Sequence, residues 1–196
     1  MPVSKIYLIS DEKYSFEHTC RALTKDISMF QLRLKNTDDA EFMRQALAYK
    51  KVCRKKGIKF IINDNLAIAQ SVDADGLHIG QDDLAFNVCK EQFPDKIIGL
   101  TVGNEAEAKE AFSMGVDYIG LGAMYETKTK KNANVIGLEI LKVLSKIATC
   151  EIVAIGGINR DNFQEVYDAG ADTLAVCSAV LNSEKPEEIV KILKGL

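Results

Sequence analysis

Two carboxylates stand where short apolar runs break off into polar residues: Asp64 after Ile61-Ile62-Asn63, and Asp83 after Gly76-Leu77-His78-Ile79-Gly80-Gln81-Asp82. A run that ends this way is expected of a buried parallel strand emptying its last residues into a loop. The two acids are therefore expected to rise from adjacent strand ends. Two nearby carboxylates without a cation are costly, and hard oxygen donors in that number suit Mg²⁺, which completes its shell with substrate phosphate oxygens. The pattern predicts a metal-assisted diphosphate site held by Asp64 and Asp83. Helix capping is the competing account of Asn63-Asp64, because a helical segment follows at 66–71. The second acid shifts the balance to a metal.

Anion-binding groups are spread along the chain at similar breaks. In Gln31-Leu32-Arg33-Leu34-Lys35, strand alternation puts Gln31, Arg33 and Lys35 on one side. A solvated edge is the plain alternative to a diphosphate fork in which Arg33 binds through two nitrogens and Lys35 acts as a point charge. Thr101 closes another apolar run and offers a hydroxyl to a phosphate or leaving group. The stretch 120–131 crowds Thr127, Lys128, Thr129, Lys130 and Lys131 into one long loop, suited to a flap that closes on anions, with Lys130 meeting the leaving diphosphate. Gly156-Gly157 allows backbone N–H groups to approach a phosphate, and Cys177-Ser178 follows in the next such loop. Together they predict a second, monophosphorylated substrate. His78 lies within a strand and reads as a core or supporting residue.

These groups need a scaffold that gathers strand ends. Strand-like runs occur at 5–10, 29–33, 58–63, 76–79, 96–101, 117–122, 151–155 and 173–178. Between them the apolar period is 3.6 residues, most clearly at 38–56, where Phe42, Ala46, Tyr49 and Cys53 share a face. Asp38-Asp39 and Asn104 are placed to cap helices, and Gly57 and Gly115 to end them. The joints Met114-Gly115-Val116-Asp117 and Ala169-Gly170-Ala171-Asp172 repeat one form. Eight strands alternating with eight helices and no linker predict an α/β fold: a single-domain (β/α)₈ TIM barrel over residues 1–196. An open doubly wound sheet is the alternative. It is disfavoured because polar residues follow nearly every strand, and no Gly-x-Gly-x-x-Gly follows the first.

Bulk properties agree with a compact enzyme. Hydrophobic residues make up 47% and charged residues 27%, enough to build a core. A formal charge of −3 and the lack of a basic stripe give no reason to expect nucleic acid. Cys20, Cys53, Cys89, Cys150 and Cys177 form no Cys-x-x-Cys pair and are odd in number, which predicts reduced thiols and a cytoplasmic setting. No stretch suits a signal core or a membrane span. Oligomeric state is left open.

The ordered set Gln31-x-Arg33-x-Lys35, Asn63-Asp64, His78-Ile79-Gly80-Gln81-x-Asp83, Gly120-x-Gly122, Thr127-x-Thr129-Lys130, Ile155-Gly156-Gly157-Ile158 and Ala169-Gly170-Ala171-Asp172 leading to Ser178 resembles the thiamin phosphate synthase family over nearly the whole chain. The resemblance implies a Mg²⁺-dependent transferase joining hydroxymethylpyrimidine diphosphate to hydroxyethylthiazole phosphate. By position, Gln31, Leu32, Arg33, Leu34, Lys35, Asn63, Thr101 and Lys130 would hold the pyrimidine diphosphate. Thr127, Lys128, Thr129, Gly157, Cys177 and Ser178 would hold the thiazole phosphate, and Asp64 and Asp83 the metal. Arg33, Lys35 and Lys130 would stabilise the departing charge. Leu34 stands where the family often has Glu, Thr101 where it often has Ser, and Ala123 and Glu126 where it often shows Pro. Related thiazole tautomerases commonly carry a catalytic His at the position of Ala123, and Ala123 cannot move a proton. A tautomerase-like enzyme and a non-catalytic barrel that binds a phosphorylated precursor are the alternatives.

Overall fold

The computed structural model describes residues 5–127 and 134–196. Eight parallel strands close into a barrel in chain order: β1 (Lys5–Ile9), β2 (Ile27–Leu32), β3 (Lys59–Asn63), β4 (Gly76–Ile79), β5 (Ile97–Val102), β6 (Tyr118–Gly122), β7 (Glu151–Ile155) and β8 (Thr173–Val176), with β1 paired to β8. Among the described residues seven helices occupy the crossovers: α1 (Phe16–Ala22), α2 (Asp39–Lys56), α3 (Leu66–Ser71), α4 (Phe86–Gln92), α5 (Glu105–Met114), α6 (Gly137–Leu144) and α7 (Phe163–Asp168). Two more, α8 (Ser178–Leu181) and α9 (Pro186–Leu193), follow β8. The expected eighth helix is thus split in two. Pro186 supplies the reason, since it lacks an N–H and sits in the first turn of α9, where none is needed.

Strand alternation divides the core into two layers. Ile6 and Leu8 of β1, Phe30 and Leu32 of β2, and Phe60 and Ile62 of β3 face outward and join the large cluster under the helices. Tyr7, Ile9, Met29, Ile61, Tyr118, Val153 and Ala175 face inward and form a small separate cluster inside the barrel. The helices complete the outer layer with the stripe foreseen in α2, where Phe42, Ala46, Tyr49 and Cys53 are buried. Asp38 caps α2 by accepting from Glu41 N, and Gly57 ends it in the left-handed region. Asn104 and Gly115 do the same for α5.

The repeated Gly-x-Asp joints have a structural cause. At the N-terminal end of the barrel, Asp117 accepts from Ile98 N and Asp172 from Ile152 N, each at 2.8 Å, and Asp75 treats Phe60 N in the same way. Each carboxylate satisfies the first free backbone N–H of the neighbouring strand. Polar residues that bind backbone at this end therefore serve the fold. Those at the opposite end are left for chemistry.

Candidate active site

At the C-terminal rim, β3 and β4 deliver the paired acids. Asp64 follows β3 and takes a left-handed φ of 60°, which an Asp side chain tolerates at modest cost. The capping alternative fails here: Asn65, and neither Asn63 nor Asp64, caps α3 by accepting from Ile68 N at 2.9 Å. Asp83 is held by Gly80 N, which donates to its Oδ2 at 2.7 Å. The Asp83 carboxyl acts on Asp64 at close range, and the charge of Lys35 and the Asn63 side chain oppose it. Burial, followed by the facing Asp83, pushes the Asp64 carboxyl up to about 6. A half-buried carboxyl raised by burial and by a second carboxylate facing it forms with that neighbour a donor set that a divalent cation would relieve, so the residues fit Mg²⁺. Among the described residues no cluster of three or more His, Cys, Asp or Glu could hold a metal by itself. A site of this kind must draw further ligands from substrate or water.

Beside Asp64 a cavity of about 440 Å³ opens, lined by Leu34, Thr37, Phe42, Asn63, Asn65 and Leu84 among others. Leu34 thus presents an apolar side chain to the space next to the acids.

The cationic loop is shorter in strand than expected. β2 begins at Ile27, stops at Leu32, and leaves Arg33 and Lys35 in the loop, so alternation accounts for Gln31 alone. What places the cations is the loop after β1. Ser10 Oγ accepts from Arg33 N at 2.8 Å and donates to Arg33 O at 3.3 Å. Glu12 accepts from the backbone of Lys35 and, at 3.0 Å, from Asn36 N. The Lys35 amide, ahead of all else, holds the Glu12 carboxyl below its usual range. Arg33 acts electrostatically on both Glu12 and Cys177. Arg33, Lys35, Asp64 and Cys177 therefore share one rim.

On the far side, Gly156 and Gly157 have φ of +100° and +69°, and a Cβ on Gly157 would come within 2.7 Å of both Glu126 O and Tyr125 Cβ. Glycine is required there because the chain after β6 runs directly over it: Met124 N donates to Ile155 O at 2.9 Å and Tyr125 N to Gly156 O at 3.0 Å. The base of the β6 loop, up to the half-buried Thr127, is thereby fixed against the β7 loop. Lys128, Thr129 and Lys130 lie outside the described residues. Strand β8 ends at Val176, short of the expected 178, and Ser178 opens α8. Burial pushes the Cys177 thiol up to about 12, which keeps it protonated and unreactive.

The barrel interior links Gln31 and Thr101 through two tyrosines that strand patterning did not single out. Gln31 Nε2 donates to Tyr7 Oη at 2.9 Å, the Tyr7 and Tyr118 hydroxyls are 2.9 Å apart, and Tyr118 Oη is 2.9 Å from His78 Nδ1. His78 Nε2 then meets Thr101 Oγ1 at 2.8 Å. Gln81 Nε2 adds a bond to Thr101 O at 2.6 Å. Glycines signal this arrangement in the sequence. A Cβ at Gly99 would fall 2.0 Å from Tyr118 Cζ, and one at Gly120 would fall 3.0 Å from His78 Cε1.

Fold and rim together define a class: a (β/α)₈ barrel whose C-terminal rim gathers paired acids beside a cationic loop. A family model described as thiamine monophosphate synthase matches residues 6–180, and the chain belongs to that family. It is 40% identical over 197 residues to a thiamine-phosphate synthase of Persephonella marina, covering 97% of this chain and 94% of that one. To a thiamine-phosphate synthase of Methanococcus maripaludis it is 41% identical over 182 residues, covering 92% and 88%. Its fold matches thiamine phosphate pyrophosphorylase from Pyrococcus furiosus with a TM-score of 0.91 at 36% identity, covering 97% and 94%. The family resemblance expected from the motifs stands. Among the described residues, no helix is long and apolar enough to cross a membrane.

Proposed function

We propose that the protein is a transferase that joins hydroxymethylpyrimidine diphosphate to hydroxyethylthiazole phosphate, giving thiamin phosphate and diphosphate, with Mg²⁺ held by Asp64 and Asp83. The observation that carries this reading is the pair of facing carboxyls beside Lys35, with Asp64 pushed up to about 6. When bound, Mg²⁺ supplies positive charge to the diphosphate oxygens. The bond between the pyrimidine methylene carbon and the bridging oxygen breaks, and its electron pair leaves with the diphosphate. The thiazole nitrogen then gives its lone pair to the pyrimidine cation, forming the new C–N bond. No proton need move. What the residues must supply is preorganised charge for the leaving group, which Arg33, Lys35 and Lys130 provide.

Gln31, Leu32, Leu34, Asn63 and Thr101 complete the pyrimidine diphosphate site. Thr127, Lys128, Thr129, Gly157, Cys177 and Ser178 take the thiazole phosphate. The whole chain, 1–196, serves as the catalytic unit in the cytoplasm, a setting supported by its free thiols. Its partners are small phosphorylated molecules, and the formal charge of −3 argues against nucleic acid.

Product formation from the two purified precursors tests the reading. Thiamin phosphate should form only with Mg²⁺, and Asp83→Asn should abolish turnover while the variant keeps its far-ultraviolet dichroism. No product from the natural sequence would refute it. Pyrimidine diphosphate affinity undiminished in EDTA, without turnover, would mark a non-catalytic binding barrel instead.

A further inference from the structure

Tyr7 and Tyr118 take no part in the reaction as proposed, yet they join two residues that do. Gln31 sits at one end of the interior hydrogen-bond chain and Thr101 at the other, with Tyr7, Tyr118 and His78 between them. The chain has a direction. An amide NH₂ group can only donate, so Tyr7 Oη is the acceptor from Gln31. Among the described residues, the Tyr118 hydroxyl is the one other group bonded to Tyr7 Oη, at 2.9 Å, and it receives the single Tyr7 proton. Tyr118 must then pass its own proton to His78 Nδ1. A neutral imidazole whose Nδ1 accepts carries its hydrogen on Nε2. That hydrogen is donated to Thr101 Oγ1, which leaves the threonine proton free to point elsewhere.

We propose that Tyr7 and Tyr118 are positioning residues: through this one-way chain they fix the His78 proton on Nε2 and so aim the Thr101 hydroxyl proton at an anionic oxygen of the pyrimidine diphosphate. The inference rests on the reading of Thr101 as a diphosphate contact. Three observations support it. Both phenols are buried, and burial pushes both above their ordinary range, so they remain protonated donors. The His78 and Tyr118 rings stack with centroids 5.5 Å apart and planes 17° apart, and Tyr7 meets Tyr118 edge-on at 5.8 Å. Two strand glycines, Gly99 and Gly120, give up side chains to make room for the Tyr118 and His78 rings. A polar chain fully satisfied in a low-dielectric interior is rigid, and rigidity is what a pre-aimed donor requires.

The proton position can be read directly by long-range ¹H–¹⁵N correlation on the free, ¹⁵N-labelled protein. Two histidines are present, and His18→Gln identifies the signals of His78. The expected result is the Nε2–H tautomer in the natural sequence, becoming a mixture in Tyr118→Phe. Should Tyr118→Phe fail to fold, Tyr7→Phe gives the same reading, since it also removes the direction of the chain. In kinetics, Tyr118→Phe should lower kcat/KM for the pyrimidine diphosphate ~10-fold, the scale of one hydrogen bond to a charged group. The KM for the thiazole phosphate should not change. In a Thr101→Val background Tyr118→Phe should cost nothing further, whereas Thr101→Ser should retain the sensitivity. A proton on Nδ1 in the natural sequence, or losses that multiply in the double variant, would overturn the proposal. The tautomer is read without substrate, so a wrong proton position defeats the chain whether or not product forms. Absence of product with the proton on Nε2 defeats the synthase reading alone.

Discussion

Replacing Asp64 with Asn should make the metal-free protein more stable while destroying its response to Mg²⁺. Asn is the informative substitution because it tolerates the left-handed φ of 60° at this position, where Ala would add strain. The Asp64 carboxyl sits at about 6 in the fold against an ordinary 3.8, raised by burial and then by Asp83. The folded state therefore binds the Asp64 proton more tightly than the unfolded chain does. Between those two values stability falls as pH rises, and above about 6 the full penalty is present. Fully shielded, a displacement of that size corresponds to ~3 kcal/mol, and because water still reaches the group it is discounted to ~1–2 kcal/mol. For a chain of this length that is a rise in Tm of about 2–8 °C at pH 7.5 in EDTA. At pH 4 the gain should largely disappear, because the Asp64 carboxyl of the folded natural protein is then protonated and carries no penalty. Comparing the variant with the natural sequence at each pH cancels the other titrating groups. Saturating Mg²⁺, at about 100 times Kd, should stabilise the natural sequence by ~2.7 kcal/mol and leave the variant nearly unmoved. Calorimetric scans over pH 4–8, with EDTA or Mg²⁺, give all three readings. A variant destabilised equally at both ends of the range, or stabilised by Mg²⁺ as much as the natural protein, would refute the shared-cation account.

Other perturbations probe the supports of the site. Glu12→Gln leaves one good acceptor where two oxygens served Lys35, Asn36 N and Asn36 Nδ2; the KM for the pyrimidine diphosphate should rise ~3–10-fold and that for the thiazole phosphate stay constant in steady-state assays. Gly157→Ala forces a Cβ to within 2.7 Å of Glu126 O at a φ of +69°. It should displace the β6 loop and raise the thiazole phosphate KM by at least ~10-fold, with the pyrimidine side less affected. Gly99→Ala meets the Tyr118 ring at 2.0 Å and should cost ~3 kcal/mol or more in urea unfolding. Gly57→Ala, at a φ of +70° with open space around it, should cost only ~1 kcal/mol.

The parts of the site that were legible in the sequence are those whose meaning is local. Asp64 and Asp83 announce themselves because each ends an apolar run, and the barrel follows from the count and spacing of such runs. Asn104 and Gly115 can be read as cap and stop because capping is settled within four residues. Asn65 was obscured by its neighbours: Asn63, Asp64 and Asn65 are all good cap residues, and the strand's own register decides which one falls at the helix start. Ser10 and Glu12 could not be found from pattern, since they hold Arg33 and Lys35 across 23 residues by bonds to backbone, which leave no trace in the partner's identity. Tyr7 and Tyr118 are separated by 111 residues and read as ordinary aromatic strand residues. Their trace lies in other residues, at Gly99 and Gly120, where a glycine inside a strand calls for an explanation that neither a turn nor a bulge provides.

That division explains how the fold carries a polar site at its centre. The outer cluster beneath the helices contains most of the buried apolar residues, whereas the inner cluster is small, includes the hydroxyl-bearing Tyr7 and Tyr118, and is adjoined by Gln31 and His78. Stability is drawn mainly from the outer layer. The inner layer can then afford hydroxyls, an imidazole and two missing side chains, provided every polar atom finds a partner. On this view a change in the outer layer, such as shortening Phe60 or Ile62, should lower stability without altering the His78 tautomer. Removing a hydroxyl from the inner layer should alter the tautomer even where the melting temperature hardly moves.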